Sequence, residues 1–306
     1  MNRPPQNRSH SPRPRSRRQK YSEKKIIILI LCISFLVAFF IHRQQSNAND
    51  VIDVLAPYNQ TEGETTELAM LIVPSYTLQD TGYLKLVNRI LYVTRPTGRA
   101  YLVDAFPTVP VRATDITMHQ TALNAIAALF REGRHIADFF ITSGYRGFYL
   151  QEYLYENAVD RMYVLPPGHS EHQLGLAADI LAPGISMGQM SGTPEAIWLA
   201  ENAWRHGLIL RYPYGTTHIT GVAYEPWHFR YVGRVHAWFM TQNNMVMEEY
   251  LDFLAETGGF STLFDGAQYH IMYLTPANGQ IYVPRDLPFT VSFSNRGGYV
   301  ITAREG

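Results

Sequence analysis

Apolar and polar positions divide this 306-residue chain into unlike stretches. Residues 1–25 are rich in Arg, Pro and Ser and nearly free of apolar side chains, too polar to bury a core. Ile26 to Ile41 is an apolar run of 16 residues between Lys24-Lys25 and His42-Arg43. A bilayer span usually takes about 20 residues, and snorkelling of the flanking side chains closes the difference. Residues 42–67 turn polar again and read as a stalk. From residue 68 the periodicity of a folded domain begins.

In that domain the pattern predicts strands at Leu68–Pro74, Tyr83–Asn88 and Ala100–Val103. Met118, Ala122, Leu123, Ile126, Leu129 and Phe130 share one helical face, and Gly133 follows as a stop. Phe139–Thr142 reads as a strand and Phe148–Val159 as a helix. Leu174–Ile180 is a short apolar run with small residues, the pattern of a buried strand. Thr193-Pro194-Glu195 has a cap, a proline for the first helical position and an acid for the first turn, so a helix runs to His206 and stops at Gly207. Leu208–Leu210 and Thr217–Val222 look strand-like. Arg234–Ala255 is helical with a break at Asn243-Asn244, and Gly258-Gly259 ends it. Gln268–Leu274, Gln280–Val283, Phe289–Phe293 and Tyr299–Thr302 are short strands separated by Pro, Gly and Asn. The expected organisation is a basic tail (1–25), an anchor (26–41), a stalk (42–67), an α+β domain (68–257) and a small C-terminal β extension (258–306).

Charge sharpens the reading of the N-terminus. The formal net charge is zero, but residues 1–25 carry nine Lys or Arg against one Glu, and the remainder carries 17 basic and 25 acidic residues. A basic run beside an apolar run is a topology signal rather than a nucleic-acid arm, so no nucleic acid is expected as partner. The positive side stays in the cytoplasm and the domain faces outward. Ser46-Asn47-Ala48 is a small-x-small pattern, so cleavage near Ala48 and secretion is the alternative to a retained anchor. Cys32, the single cysteine, falls within the apolar run, so the outer part has no intramolecular disulfide.

The chemistry concentrates in two segments. Gly168 to Asp179 reads Gly-His-Ser-Glu-His-Gln-Leu-Gly-Leu-Ala-Ala-Asp, and Tyr224 to His228 reads Tyr-Glu-Pro-Trp-His. Together they supply two imidazoles and two carboxylates, the set a catalytic zinc site uses. Three protein ligands leave one position open, and a carboxylate that is not a ligand serves as base. The assignment is His172, Asp179 and His228 as ligands of one zinc ion and Glu225 as base. A lone Asp179 in an apolar run is costly to bury unless a charge compensates it. Pro226 disfavours a regular helix, so a turn aims Glu225 and His228 at one point. His169 is the rival ligand, and His218 lies close enough in sequence to line the pocket. Arg146 reads either as a surface ion-pair residue or as a planar fork facing a substrate. Tyr224 and Trp227 read as pocket walls or as plain packing.

Ser170-x-His172-x-x-Gly175-x-Ala177-x-Asp179 and Glu225-x-Trp227-His228 resemble the two signatures of the VanY-type D-alanyl-D-alanine carboxypeptidases. These are zinc peptidases related in fold to lysostaphin-type peptidases and the hedgehog signalling domain. The resemblance extends to Ser143-Gly144-Tyr145-Arg146 and to Trp198–Trp204 and Ile209–Pro213, over roughly residues 138–235. It implies an antiparallel sheet with flanking helices around a central zinc site. It also implies cleavage of the D-Ala-D-Ala end of cell-wall stem peptides, with Arg146 at the substrate carboxylate or oxyanion and Gln151 and Ser170 as further substrate contacts. An L,D-carboxypeptidase, an endopeptidase and a wall-binding protein with structural zinc remain open. No specific protein partner is expected.

Overall fold

Asp179 and His228 meet because two short strands pair in one register. β5 (Ala177–Leu181) runs antiparallel to β7 (His228–Tyr231), and Asp179 lies opposite His228 across the ladder. On its other edge β5 pairs with β4 (Phe140–Ser143), where Ser143 lies opposite Asp179. β6 (Leu208–Leu210) completes the order β4-β5-β7-β6. Alternation then sorts the side chains. Ala178, Ile180 and Phe229 join the main apolar core, while Asp179, His228 and Arg230 occupy the alternate positions.

These strands belong to a computed structural model describing residues 70–75, 82–94 and 101–306. The tail, the anchor at 26–41, the stalk, Cys32 and the cleavage pattern near Ala48 all lie outside the described residues. Among the described residues no helix is long and apolar enough to cross a membrane.

The main core forms where α1 (Gln120–Glu132) buries Ala122, Leu123, Ile126, Leu129 and Phe130 against the sheet. His119 caps α1 by accepting from the Thr121 N–H, and Gly133 closes it. The helix thus starts two residues later than its apolar face suggests. Met118, placed on that face by periodicity, belongs to β3 (Thr117–His119), which pairs with β2 (Leu102–Asp104). α2 (Phe148–Glu156) follows β4, and α3 (Pro194–Asn202) begins at the Thr193 cap as expected. The last turn, Ala203–His206, tightens to 3-10 geometry and ends at Gly207 with φ 81°.

Two strand expectations are corrected. Tyr83–Asn88 joins no ladder, although Leu84 to Asn88 are all buried, the polar Lys85 and Asn88 included, so the alternation marks neither pairing nor an exposed face. Thr217–Thr220 is a short helix, α4, because its turn closes on itself through the Thr220 and Gly221 amides.

Beyond β7 come α5 (Arg234–Gln242) and α6 (Met247–Thr257), broken at Asn243-Asn244 as expected. β8 (Gly259–Phe264), β9 (Ala267–Leu274), β11 (Phe289–Phe293) and β12 (Tyr299–Arg304) form a second antiparallel sheet in the order β11-β12-β9-β8. β10 (Gln280–Pro284) pairs instead with β1 (Met70–Pro74). A second apolar cluster joins Leu84, Leu86 and Ile209 to Phe239, Tyr250 and Leu251 and to Phe260, Ile271 and Val300. It runs across the boundary expected at 257/258. Strand periodicity shows that one face must be buried, but not against what.

Candidate metal centre

Each predicted ligand arrives from a different local structure. His172 sits in a 3-10 turn, Glu171–Leu174, that ends at Gly175 with φ 72°. Gly175 is needed there: a Cβ would lie 2.7 Å from Leu102 Cδ2. The chain then enters β5 and delivers Asp179 seven residues after His172. His228 opens β7 behind a tight turn in which its amide donates to Glu225 O at 3.1 Å. Pro226 and Trp227 occupy that turn, so Glu225 and His228 project to one place without a helix.

The three ligand side chains are 2–3% exposed. His172 Nε2 lies 3.4 Å from Asp179 Oδ1, and His228 Nδ1 lies 3.1 Å from the same oxygen. One nitrogen from each imidazole and one carboxylate oxygen fall within 4.8 Å of one another. Ligands about 2.0–2.1 Å from a tetrahedral zinc are separated by about 3.4 Å, so these edges suit such an ion. The roles of the other ring atoms agree. His172 Nδ1 sits 2.6 Å from Gly144 O and donates to it, which leaves Nε2 as the free lone pair. His228 meets Asp179 through Nδ1, so its Nε2 points away.

Electrostatics describe a pocket built for a cation. Burial, helped by the charge of Arg146, lowers His172 to about 4, so it is a neutral imidazole near pH 7. Burial opposes a charge on His228, but the neighbouring carboxylates, Asp179 first and then Glu171, outweigh it and raise the ring to about 9. Asp179 is pushed up by burial yet held well below the carboxylate range by the two histidines and Arg146. Glu225 behaves oppositely: burial pushes it up to about 8. Its Oε2 lies 3.7 Å from His228 Nδ1, beside the ligand set rather than in it.

Arg146 closes one side. Its Nη2 donates to Asp179 Oδ2 at 2.8 Å and its Nε to Ser143 Oγ at 2.9 Å. Its Nη1 has only a long contact, 3.5 Å, to Gln151 Oε1. Gln151 is fully buried, and its Nε2 donates to Leu165 O at 2.6 Å, so it lies behind Arg146. Ser170 is buried at the start of the 3-10 turn. Trp227 faces Tyr163 with ring centroids 6.2 Å apart, and Tyr224 meets Tyr214 edge-on. His169 lies outside the cluster, with Nδ1 2.7 Å from Asn88 O, and His218 is exposed with its Nδ1 against Gly215 O.

Sequence reasoning missed a group of buried charges behind His228. Glu171, read only as a variable position between Ser170 and His172, is 1% exposed. Arg211 and Arg230 are 0% exposed and both donate to its Oε1 at 2.8 Å. The available signal was an acid beside a ligand together with two arginines inside strand-like apolar segments.

Residues 115–234 match the family model described as VanY, D-alanyl-D-alanine carboxypeptidase. A D-alanyl-D-alanine carboxypeptidase of Enterococcus faecium is 42% identical over 172 residues, covering 56% of this chain and 55% of that protein. The chain thus spans about half the length of this curated relative. Among solved structures, the D,D-dipeptidase VanXYg in complex with a D-Ala-D-Ala phosphinate analogue is 26% identical with a TM-score of 0.68, covering 78% of this chain and 99% of that one. The LD-carboxypeptidase LdcB is 31% identical with a TM-score of 0.50, covering 55% and 84%.

Proposed function

The chain belongs to the VanY D-alanyl-D-alanine carboxypeptidase family, and from that premise we propose that it is a zinc hydrolase removing the terminal D-alanine from stem peptides that end in D-Ala-D-Ala. The observation that supports this most directly is the convergence of His172 Nε2, Asp179 Oδ1 and His228 Nδ1 beside the Glu225 carboxylate. We further propose that residues 26–41 hold the enzyme in the membrane with the domain outside, where that polymer lies.

His172, Asp179 and His228 would hold the ion. When bound, zinc supplies acidification of a water and polarisation of the scissile carbonyl. Glu225 accepts the proton of the attacking water and returns it to the leaving amine. Glu225 acts as base in its ionised form, which a dication held beside it would favour. Asp179 Oδ2 accepts from Arg146, and its Oδ1, which faces the two histidines, would be the oxygen offered to the ion. Arg146 Nη1 remains for the terminal carboxylate or the oxyanion. Trp227 and Tyr224, on the turn that carries Glu225, serve as pocket walls.

The test is alanine release from a pentapeptide ending in D-Ala-D-Ala and from the tetrapeptide, each with and without a chelator. Release from the pentapeptide alone, abolished by the chelator and restored by zinc, is expected. The likeness to an LD-carboxypeptidase motivates a second reading, cleavage of the tetrapeptide. Release from that substrate alone would replace the first reading by the second. Release from neither would leave an endopeptidase or a wall-binding protein.

A further inference from the structure

We infer that Glu171 is a positioning residue for His228: its carboxylate takes the Nε2 side of the ring, so that Nδ1 faces the metal site. The inference rests on the zinc reading above. Glu171 Oε2 lies 3.5 Å from His228 Nε2. Both atoms are among the three buried side-chain polar atoms without a hydrogen-bond partner among the described residues, the third being Gln173 Nε2. Two orphans facing each other across 3.5 Å are one hydrogen bond that a small ring movement completes. On the far side of the ring, Nδ1 is 3.1 Å from Asp179 Oδ1. Tyr212 lies against the ring face, with centroids 4.9 Å apart.

The surroundings hold Glu171 to this task. Arg211 Nε and Arg230 Nη1 both occupy Oε1, leaving Oε2 for histidine. Arg230 is fixed in turn by Nη2 donating to Tyr83 O and Lys85 O at 2.8 and 3.0 Å. Arg211 is fixed by donating through both terminal nitrogens to Glu248 Oε2 and Oε1 at 2.8 and 2.7 Å. Asn88 Nδ2 donates to the same Glu248. Four charges are thus buried together, in two arginines and two glutamates. Well-packed apolar residues replace such a group with little or no loss of stability, so stability alone does not explain it. What apolar side chains do not provide is an acceptor for the imidazole N–H opposite the metal. A carboxylate in that place sets tautomer and ring orientation, and its loss typically weakens metal binding about 10- to 100-fold.

The test uses the full chain and zinc(II) itself. Chelator competition gives the zinc dissociation constant of wild type, of Glu171→Gln and of Val300→Ala, a cavity variant in the second apolar cluster that serves as a control for lost stability. Glu171→Gln is expected to bind zinc at least tenfold more weakly than wild type, and Val300→Ala equally to it. Nitrogen-15 NMR of the zinc-loaded wild type is expected to show His228 protonated at Nε2. Equal zinc affinity of folded Glu171→Gln and wild type would overturn the inference and leave the zinc reading standing. If Glu171→Gln does not fold, the NMR experiment decides: a proton on Nδ1, with Nε2 on the metal, overturns it. A wild type that binds no zinc would overturn the zinc reading and this inference together.

Discussion

Glu225→Gln separates what the site needs for chemistry from what it costs the fold. The unfolded chain releases the Glu225 proton above its ordinary value of 4.5, whereas the folded metal-free protein keeps it up to about 8. The folded state therefore binds more protons in this window, and stability falls as pH rises through it, by about 1.4 kcal/mol per pH unit. At pH 7 the cost reaches about 3 kcal/mol. Glutamine has nearly the same shape and no charge to desolvate. The metal-free variant should thus be more stable than wild type at pH 7 by up to that amount. For a domain of this size it should melt about 6–10 °C higher. The gain should shrink to about 0.4 kcal/mol near pH 4.5, where the folded carboxyl is neutral and the unfolded one half ionised. Peptidase activity should fall by a factor of about 100 or more, because general base catalysis typically contributes about 10²–10⁴. Zinc affinity should stay within a few-fold, since Glu225 is not a ligand. Thermal melts of both metal-free proteins from pH 4.5 to 8, alongside alanine release, check each part. Equal stability across that range would refute the desolvated carboxylate, and retained activity would refute the base.

Three further outcomes follow from the packing. Gly175→Ala forces a side chain into a left-handed conformation and into Leu102, between His172 and Asp179. It should cost at least about 1 kcal/mol and weaken zinc binding, read by denaturant titration and chelator competition. Phe229→Ala removes a fully buried ring beside a ligand and should destabilise by about 3–5 kcal/mol in urea unfolding. His236, held at about 3 by burial between Tyr250 and Thr302, is neutral when folded and charges below pH 6.5 when unfolded. Stability is therefore lost as pH falls from 6.5 toward 3, by about 1.4 kcal/mol per unit. A His236→Gln variant should show a correspondingly shallower fall between pH 6.5 and 5, measured by denaturant unfolding.

Much of the site was legible in the residue order. A lone Asp in an apolar run needs a compensating charge, and a Pro between Glu225 and His228 disfavours a helix. Those are local constraints, and together with the resemblance of the two motifs they point to His172, Asp179, His228 and Glu225. Helix limits were legible for the same reason, since Thr193, Pro194, Gly133 and Gly258 act within one turn of where they stand. Tertiary structure decided the rest. Which nitrogen of His228 faces the proposed metal site depends on strand register and on Glu171, beside which only the fold brings Arg230 of β7 and Arg211, just after β6. Only the fold shows that Gln151 is fully buried behind Arg146. Thr217–Thr220 alternates like a strand but finds no ladder, and the last strands pack on α5 and α6 rather than among themselves alone. Periodicity specifies that a face is buried; only the three-dimensional meeting of distant segments specifies what buries it.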